Sequence, residues 1–216
     1  MGTITESAKA FMPKLSEIRR DFHMHPEVSQ HEERTGKKVA EYLKEMGCDE
    51  VYENVGGYGV VGVIKGKKTG KVVALRADMD ALQIQEMNEV PYKSQNDGVM
   101  HACGHDGHIT VGLGTAKPLC QMREQLHGTV KFIFQPAEEG VRGARAIVEN
   151  GHLEDVDFLL AAHMYGGSEQ HPCGICITAG HGLATTKLDV DFHGKASHAA
   201  AAPEQGNNAL LAAATA

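Results

Sequence analysis

Thr129-Val-Lys-Phe-Ile-Phe-Gln135 is a short run rich in β-branched and aromatic residues, followed by Pro136. Such a run reads as a buried strand. Its neighbours decide the fold class. Residues 107–122 before it and 142–149 after it read as helices, and 156–162 (Val-Asp-Phe-Leu-Leu-Ala-Ala) reads as a further strand. Strand–helix alternation of this kind predicts an α/β sheet with helices on its faces. In such sheets chemistry collects beyond the carboxyl ends of the strands. What stands beyond this one is Gln135-Pro-Ala-Glu-Glu139.

Towards the N-terminus, Ala8, Phe11, Met12, Leu15, Ile18 and Phe22 recur at three- and four-residue steps, a helical stripe over residues 5–24. Pro13 suits a first turn, so the helix is expected to begin near it, and His25-Pro26 ends it. A second helix is expected over 31–46, closed by Gly47. Val51–Val55, Tyr58–Lys65 and Lys71–Ala77 read as strands separated by glycine-rich turns. Towards the C-terminus, Ala184, Thr186, Leu188, Val190 and Phe192 alternate as one strand over 184–193, and 206–216 reads as an alanine-rich helix. One strand and one helix cannot bury a core of their own. Residues 1–183 are therefore expected to form a catalytic domain, and 184–216 the beginning of a second.

Bulk properties narrow the partners. The 216 residues are 42% hydrophobic and 23% charged, the balance of a soluble globular protein. A net charge of -7 without a cationic cluster argues against nucleic acid. The first residues lack an apolar stretch, and Glu6 stands where a myristoylation signal needs Ser or Thr. No run is apolar enough for a membrane span. Five cysteines at irregular spacing do not form a disulfide framework. A cytoplasmic location follows as the expectation, and a reducing cytosol would keep Cys103 available as a ligand.

The densest chemistry lies in His101-Ala-Cys-Gly-His-Asp-Gly-His108. Cys103 and His105 are separated by one residue, so in an extended segment both side chains point to the same side. A thiolate and a neutral imidazole together suit a zinc-like metal; the alternative is a polar loop whose histidines bond locally. Glu138 and Glu139, if extended, project in opposite directions. One could then bind a metal while the other handles protons, as a hydrolase requires; the alternative is a solvated pair opening a loop. Asp80, in Arg76-Ala-Asp-Met-Asp80, could orient a ligand or cap a turn. His163 follows the strand at 156–162 and gains meaning from its company.

Five segments in this order resemble a known family: Arg76-Ala-Asp-Met-Asp-Ala-Leu82, residues 101–108, 135–139, Ala162-His-Met164 and Gly194-Lys-Ala-Ser-His-Ala199. They are similar to the metal-dependent amidohydrolases, a group of aminoacylases, hippurate hydrolases and auxin-conjugate hydrolases related to di-zinc carboxypeptidases. The resemblance implies a three-layer, mixed-sheet catalytic domain followed by an α+β, ferredoxin-like lid and dimerisation domain. It implies that Cys103, His105, Glu139 and His163 hold two divalent ions, manganese or zinc. It makes Glu138 the general base and later acid, Asp80 the carboxylate behind the ligands, and His198 a lid histidine that stabilises the oxyanion, often in a dimer partner. Residues 142–146, 184–187 and 202–213 look most like the aminobenzoyl-glutamate hydrolases within the family, which implies cleavage of an aroyl–glutamate amide.

Arg142 and Arg145 could contact a substrate carboxylate or be surface residues. Family members run to about twice this length, so the isolated chain is expected to bind one metal weakly or none, and to be slow or inactive. Two functions follow: an amidohydrolase acting on N-acyl or aroyl amino acids, p-aminobenzoyl-glutamate first and hippurate or N-acetyl amino acids next, or a non-catalytic metal-binding subunit that needs a partner. A homodimer or heteromer through the lid is expected. Two further patterns carry no function. Gly57-Tyr-Gly-Val-Val-Gly62 fits a dinucleotide motif but runs into a strand. Cys173-Gly-Ile-Cys176 has redox spacing but no helix start to stabilise a thiolate.

Overall fold

In the computed structural model, which describes residues 4–140, 143–165, 175 and 188–216, two amphipathic helices lead the chain. Helix α1 (Ile4–Met24) buries Leu15, Ile18 and Phe22 along one face. It does not begin at Pro13 but runs through it. Proline removes only one intrahelical bond, and Phe11 on the preceding turn still packs against the core, which holds that turn helical. Helix α2 (Glu33–Met46) ends at Gly47, whose φ of 91° lets its N–H reach Lys44 O at 3.0 Å.

Among the described residues five strands follow in one sheet: β1 (Glu50–Val55), β2 (Gly59–Lys65), β3 (Lys68–Asp78), β4 (His127–Gln135) and β5 (Phe158–Ala161), in spatial order β1-β2-β4-β3-β5. β1 and β4 pair antiparallel with β2, whereas β3 runs parallel to both β4 and β5. Helix α3 (His105–Gln121) precedes β4, and α4 (Gly143–Glu149) follows it. The dinucleotide-like glycines lie in the β1–β2 hairpin and in β2 itself.

The pleat sorts the sheet residues onto two faces. Val60 and Ile64 of β2, Phe132 and Phe134 of β4, and Ala77 of β3 pack with α1, α2 and α3 residues. Val61, Val63, Ile133 and Ala74 turn the other way and pack with Val55 and with Ile147 of α4. The result is three layers, helices on both faces of a mixed sheet. Full burial of Phe22, Phe132 and Phe134 stabilises this arrangement by about 1.5–3 kcal/mol each.

The register places the chemistry. Ala77 pairs with Phe134, Asp78 with Gln135, and Arg76 with Ala161. The loops after β3, β4 and β5 therefore leave the sheet together at one edge.

The chain divides into two compact units, Met1–Cys173 and Gly174–Ala216. In the second, Asn208 caps helix α5 (Ala209–Thr215) by accepting the Leu211 N–H at 3.0 Å. The strand expected over 184–193 is absent from its described part, residues 188–193. No partner strand flanks it among the described residues, so it has no ladder to join. Residues 184–187 lie outside the described set, as do Arg142, Cys173 and Cys176. Among the described residues no helix is long and apolar enough to cross a membrane.

Candidate metal centre

The centre is built where β3 and β4 end side by side. The Met79 N–H bonds to Gln135 O at 2.9 Å, locking the two exits together. From β3 the chain carries Asp80 into the interior, where it is 1% exposed. From β4 it passes Ala137, at φ 51°, into the turn that carries Glu138 and Glu139.

Cys103 and His105 meet by a different route from the extended segment expected. Gly104 between them is left-handed, with φ 92°, and His105 is already the first residue of α3. The glycine turns the chain so that the thiol and the imidazole converge, which an extended segment is not needed to do. A side chain there would be strained by the backbone angle and would approach Met164 Cβ to 3.1 Å.

His105 is fully buried, and its Nδ1 donates to Asp80 O at 2.7 Å. That bond puts the proton on Nδ1 and leaves Nε2 with a lone pair, the orientation metal-binding imidazoles adopt. Nε2 is buried without a hydrogen-bond partner among the described residues. It faces Glu138 Oε2 at 4.0 Å and Glu139 Oε1 at 3.9 Å. The two carboxylates thus do not project oppositely. They sit in a turn, not in extended chain, and both reach the same imidazole.

His163, just past β5, donates from Nδ1 to Met164 O at 2.6 Å and brings Nε2 to 3.4 Å from Cys103 Sγ. Among the described residues three groups share His105: Cys103, His105 and His163; His105, Glu138 and Glu139; and Asp78, His105 and His108. Within each group the ligand atoms lie within 4.8 Å of one another. A sulfur, two imidazoles and two carboxylates distributed over two of these groups, with one imidazole nitrogen buried and without a hydrogen-bond partner among the described residues, fit a borderline-soft divalent cation.

Electrostatics around these residues favour a cation. Burial would raise the Asp80 carboxyl, but hydrogen bonds from His105, Ser29 and the backbone of Glu139 and Glu138 bring it down to about 2. Burial and then the charge of Glu139 push the Cys103 thiol up to about 12. Acidic neighbours oppose a free thiolate here; a bound cation reverses that balance.

Several participants had no role assigned from the sequence. Ser29, from the loop before α2, donates to Asp80 Oδ2 at 2.6 Å. His108, three residues after His105 on α3, accepts the Met164 N–H on Nε2 at 2.9 Å and turns Nδ1 towards Asp78 Oδ2 at 3.4 Å. It packs against His163 with ring centroids 4.4 Å apart, bracing that segment. Its spacing from His105 was the one available clue. His101 lies buried behind the centre, where burial pushes it down to about 4 and keeps it neutral.

Two other predicted residues do not join the cluster by any contact described. Arg145, exposed on α4, bonds through Nε to Glu149 one turn on, at 2.6 Å. His198 belongs to the second unit, where its Nδ1 accepts the Ala201 N–H at 3.1 Å.

The sequence profile of peptidase family M20/M25/M40 matches residues 74–216. One subunit of the p-aminobenzoyl-glutamate hydrolase of Escherichia coli is 40% identical, across 100% of this chain and 59% of its own length. Indole-3-acetyl-aspartic acid hydrolase of Enterobacter agglomerans is 37% identical over the same shares, so the chain spans 59% of each relative. Among solved structures, a Bacillus subtilis dinuclear metal-binding peptidase of the M20 family superposes with a TM-score of 0.69 at 47% identity, covering 72% of this chain and 43% of that one.

Proposed function

The chain belongs to peptidase family M20/M25/M40, and from that premise we propose that it forms the metal-binding part of an amidohydrolase that cleaves N-acyl and N-aroyl amino acids. The observation that carries this reading is that His105, whose buried Nε2 has no hydrogen-bond partner among the described residues, is shared by the ligand groups Cys103–His105–His163 and His105–Glu138–Glu139. In this reading Cys103, His105, Glu139 and His163 hold two divalent ions, manganese or zinc, which when bound acidify a water and polarise the scissile carbonyl. Glu138 is the more open carboxylate, 39% exposed against 21% for Glu139. It takes the water's proton and returns it to the departing nitrogen. Asp80 holds His105 and the Glu139 backbone in place. His198, from the lid begun at 184–216 in this chain or in a dimer partner, donates to the carbonyl oxygen as it gains charge.

The substrate class we favour joins an aromatic acyl group to an acidic amino acid, the chemistry common to the two hydrolases from Escherichia coli and Enterobacter agglomerans. The Escherichia coli relative is one subunit of its enzyme, which supports a second reading, in which this polypeptide works beside another chain. A reducing cytosol suits the free thiols of Cys48, Cys103 and Cys120.

The test is hydrolysis of p-aminobenzoyl-glutamate, indole-3-acetyl-aspartate and hippurate by the full gene product with manganese or zinc. Glu138→Ala is expected to lower turnover by about 10²-fold or more while metal content by elemental analysis stays unchanged. Retained turnover, or metal lost with the carboxylate, refutes the assignment. Activity that appears only after mixing with a second polypeptide favours the second reading.

A further inference from the structure

Glu32 is a carboxyl group outside the set of metal ligands and proton carriers. It immediately precedes α2 and is completely buried. Its side chain makes no capping bond to that helix, although the N-cap position invites one. Instead Oε1 accepts the N–H of Ala137, just past the end of β4, at 2.7 Å. Ala137 holds φ 51°, a left-handed angle that residues with a Cβ avoid. The next two residues are Glu138 and Glu139. On the other flank Asp80 Oδ2 accepts the Glu139 N–H at 2.9 Å. The turn is thus gripped from both ends by buried carboxyl groups: Glu32, from the start of α2, holds the Pro136–Ala137 peptide that leads into it, and Asp80, from the β3 loop, holds the Glu138 and Glu139 backbone.

We propose that Glu32 is a positioning residue that imposes the left-handed turn at Ala137 and so aims Glu138 and Glu139 at the ions. This rests on the assignment of those two carboxylates to the metal centre. A free turn would relax Ala137 to negative φ and swing both carboxylates away from His105 Nε2. Burial pushes the Glu32 carboxyl up, so neutral glutamine, with the same shape and an acceptor oxygen, is a fair replacement, and leucine, shorter and apolar, removes the acceptor.

The experiment measures manganese and zinc affinity by competition with a chromogenic chelator, and kcat and KM on p-aminobenzoyl-glutamate, in the full gene product. Glu32→Gln is expected to stay within about threefold of wild type, whereas Glu32→Leu loses about tenfold or more in metal affinity and in kcat, with KM little changed. Adding Ala137→Gly to Glu32→Leu is expected to recover part of both losses, because glycine adopts φ 51° unaided. A purely structural defect would not respond to that second change. Hydrogen exchange in the wild-type protein reads the bond directly: a protected Ala137 amide is expected, whatever the stability of the leucine variant. Wild-type metal affinity in Glu32→Leu, equal losses in the Gln and Leu variants, or an unprotected Ala137 amide overturns the proposal. A wild-type protein that binds neither metal sinks the reading of the centre instead, and the exchange measurement still judges Glu32.

Discussion

Asp80 shows how one residue organises a site through its backbone as well as its side chain. Its carbonyl oxygen takes the His105 Nδ1 proton, and its carboxylate takes the Ser29 hydroxyl and the Glu139 N–H. The carboxylate could be suspected from sequence because it follows a strand in an acidic motif. The carbonyl could not, since every residue has one and only the fold says where it points. Ser29 and Glu32 were illegible for a related reason: they are ordinary polar residues in a segment far from the motifs. Asp80→Ala is expected to remove the acceptor of the Glu139 N–H and of the Ser29 hydroxyl, costing about 1–3 kcal/mol of stability. Metal affinity should fall about 10–100-fold with it, measured by chelator competition. Asp80→Asn, which keeps an acceptor, should lose less; equal losses would count against the hydrogen-bonding account.

At the scale of elements, close approach explains residues that periodicity does not. Gly36 lies inside α2, where alanine would be the better helix former by about 1 kcal/mol. A Cβ there would stand 2.3 Å from the Tyr58 carbonyl oxygen, in the hairpin between β1 and β2. The contact is with backbone at a tight turn, so neither side yields easily. Gly36→Ala is therefore expected to destabilise the protein, overpacking of about 1–3 kcal/mol exceeding the propensity gain, as read from urea denaturation. A more stable variant would show that the hairpin moves freely against α2. Element identities were largely legible, because apolar spacing marks helices and β-branched runs mark strands. Their turns were less so. Gly104 and Ala137 both leave extended geometry at the positions that matter, and alternation rules assume that geometry throughout.

The first unit as a whole is tied together by a buried polar network centred on His23 of α1. Its Nδ1 bonds Asp106 of α3 at 2.8 Å, and its Nε2 bonds Glu86 of the long β3–α3 connection at 3.1 Å. The hydrogen bond to Asp106 is the main cause that holds the His23 pKa above its ordinary 6.5, against burial. A raised folded pKa stabilises fully below the unfolded value and is lost as pH rises through the folded one. The metal-free protein is therefore expected to melt at progressively lower temperature as pH rises above 6.5, with chelator present. His105, also raised, acts in the same direction, so His23→Gln should flatten the slope without abolishing it. Below 6.5 buried His101 acts oppositely, which places the stability maximum near that pH. A melting temperature that climbs steadily from about pH 6.5 to about pH 8.5 would contradict this account. The strand β5 bears on the same scale: Phe158, Leu159 and Leu160 are 58%, 53% and 57% exposed on a sheet edge, an apolar surface of the kind that invites association.

Residue chemistry and spacing alone determined the α/β class, the order of helices and strands in the first unit, and the four loops that carry thiol, imidazole and carboxylate groups. Those properties are local, set by side-chain type and by the period of the backbone. Tertiary structure decided which oxygen fixes the His105 tautomer, that Glu138 and Glu139 face one imidazole together, and that Glu32 grips their turn. These depend on contacts between segments far apart in the chain, Glu32 to Ala137 and Asp80 to Glu139. No local pattern encodes such contacts, because they exist only once parallel β3 and β4 end in register at the same edge of the sheet.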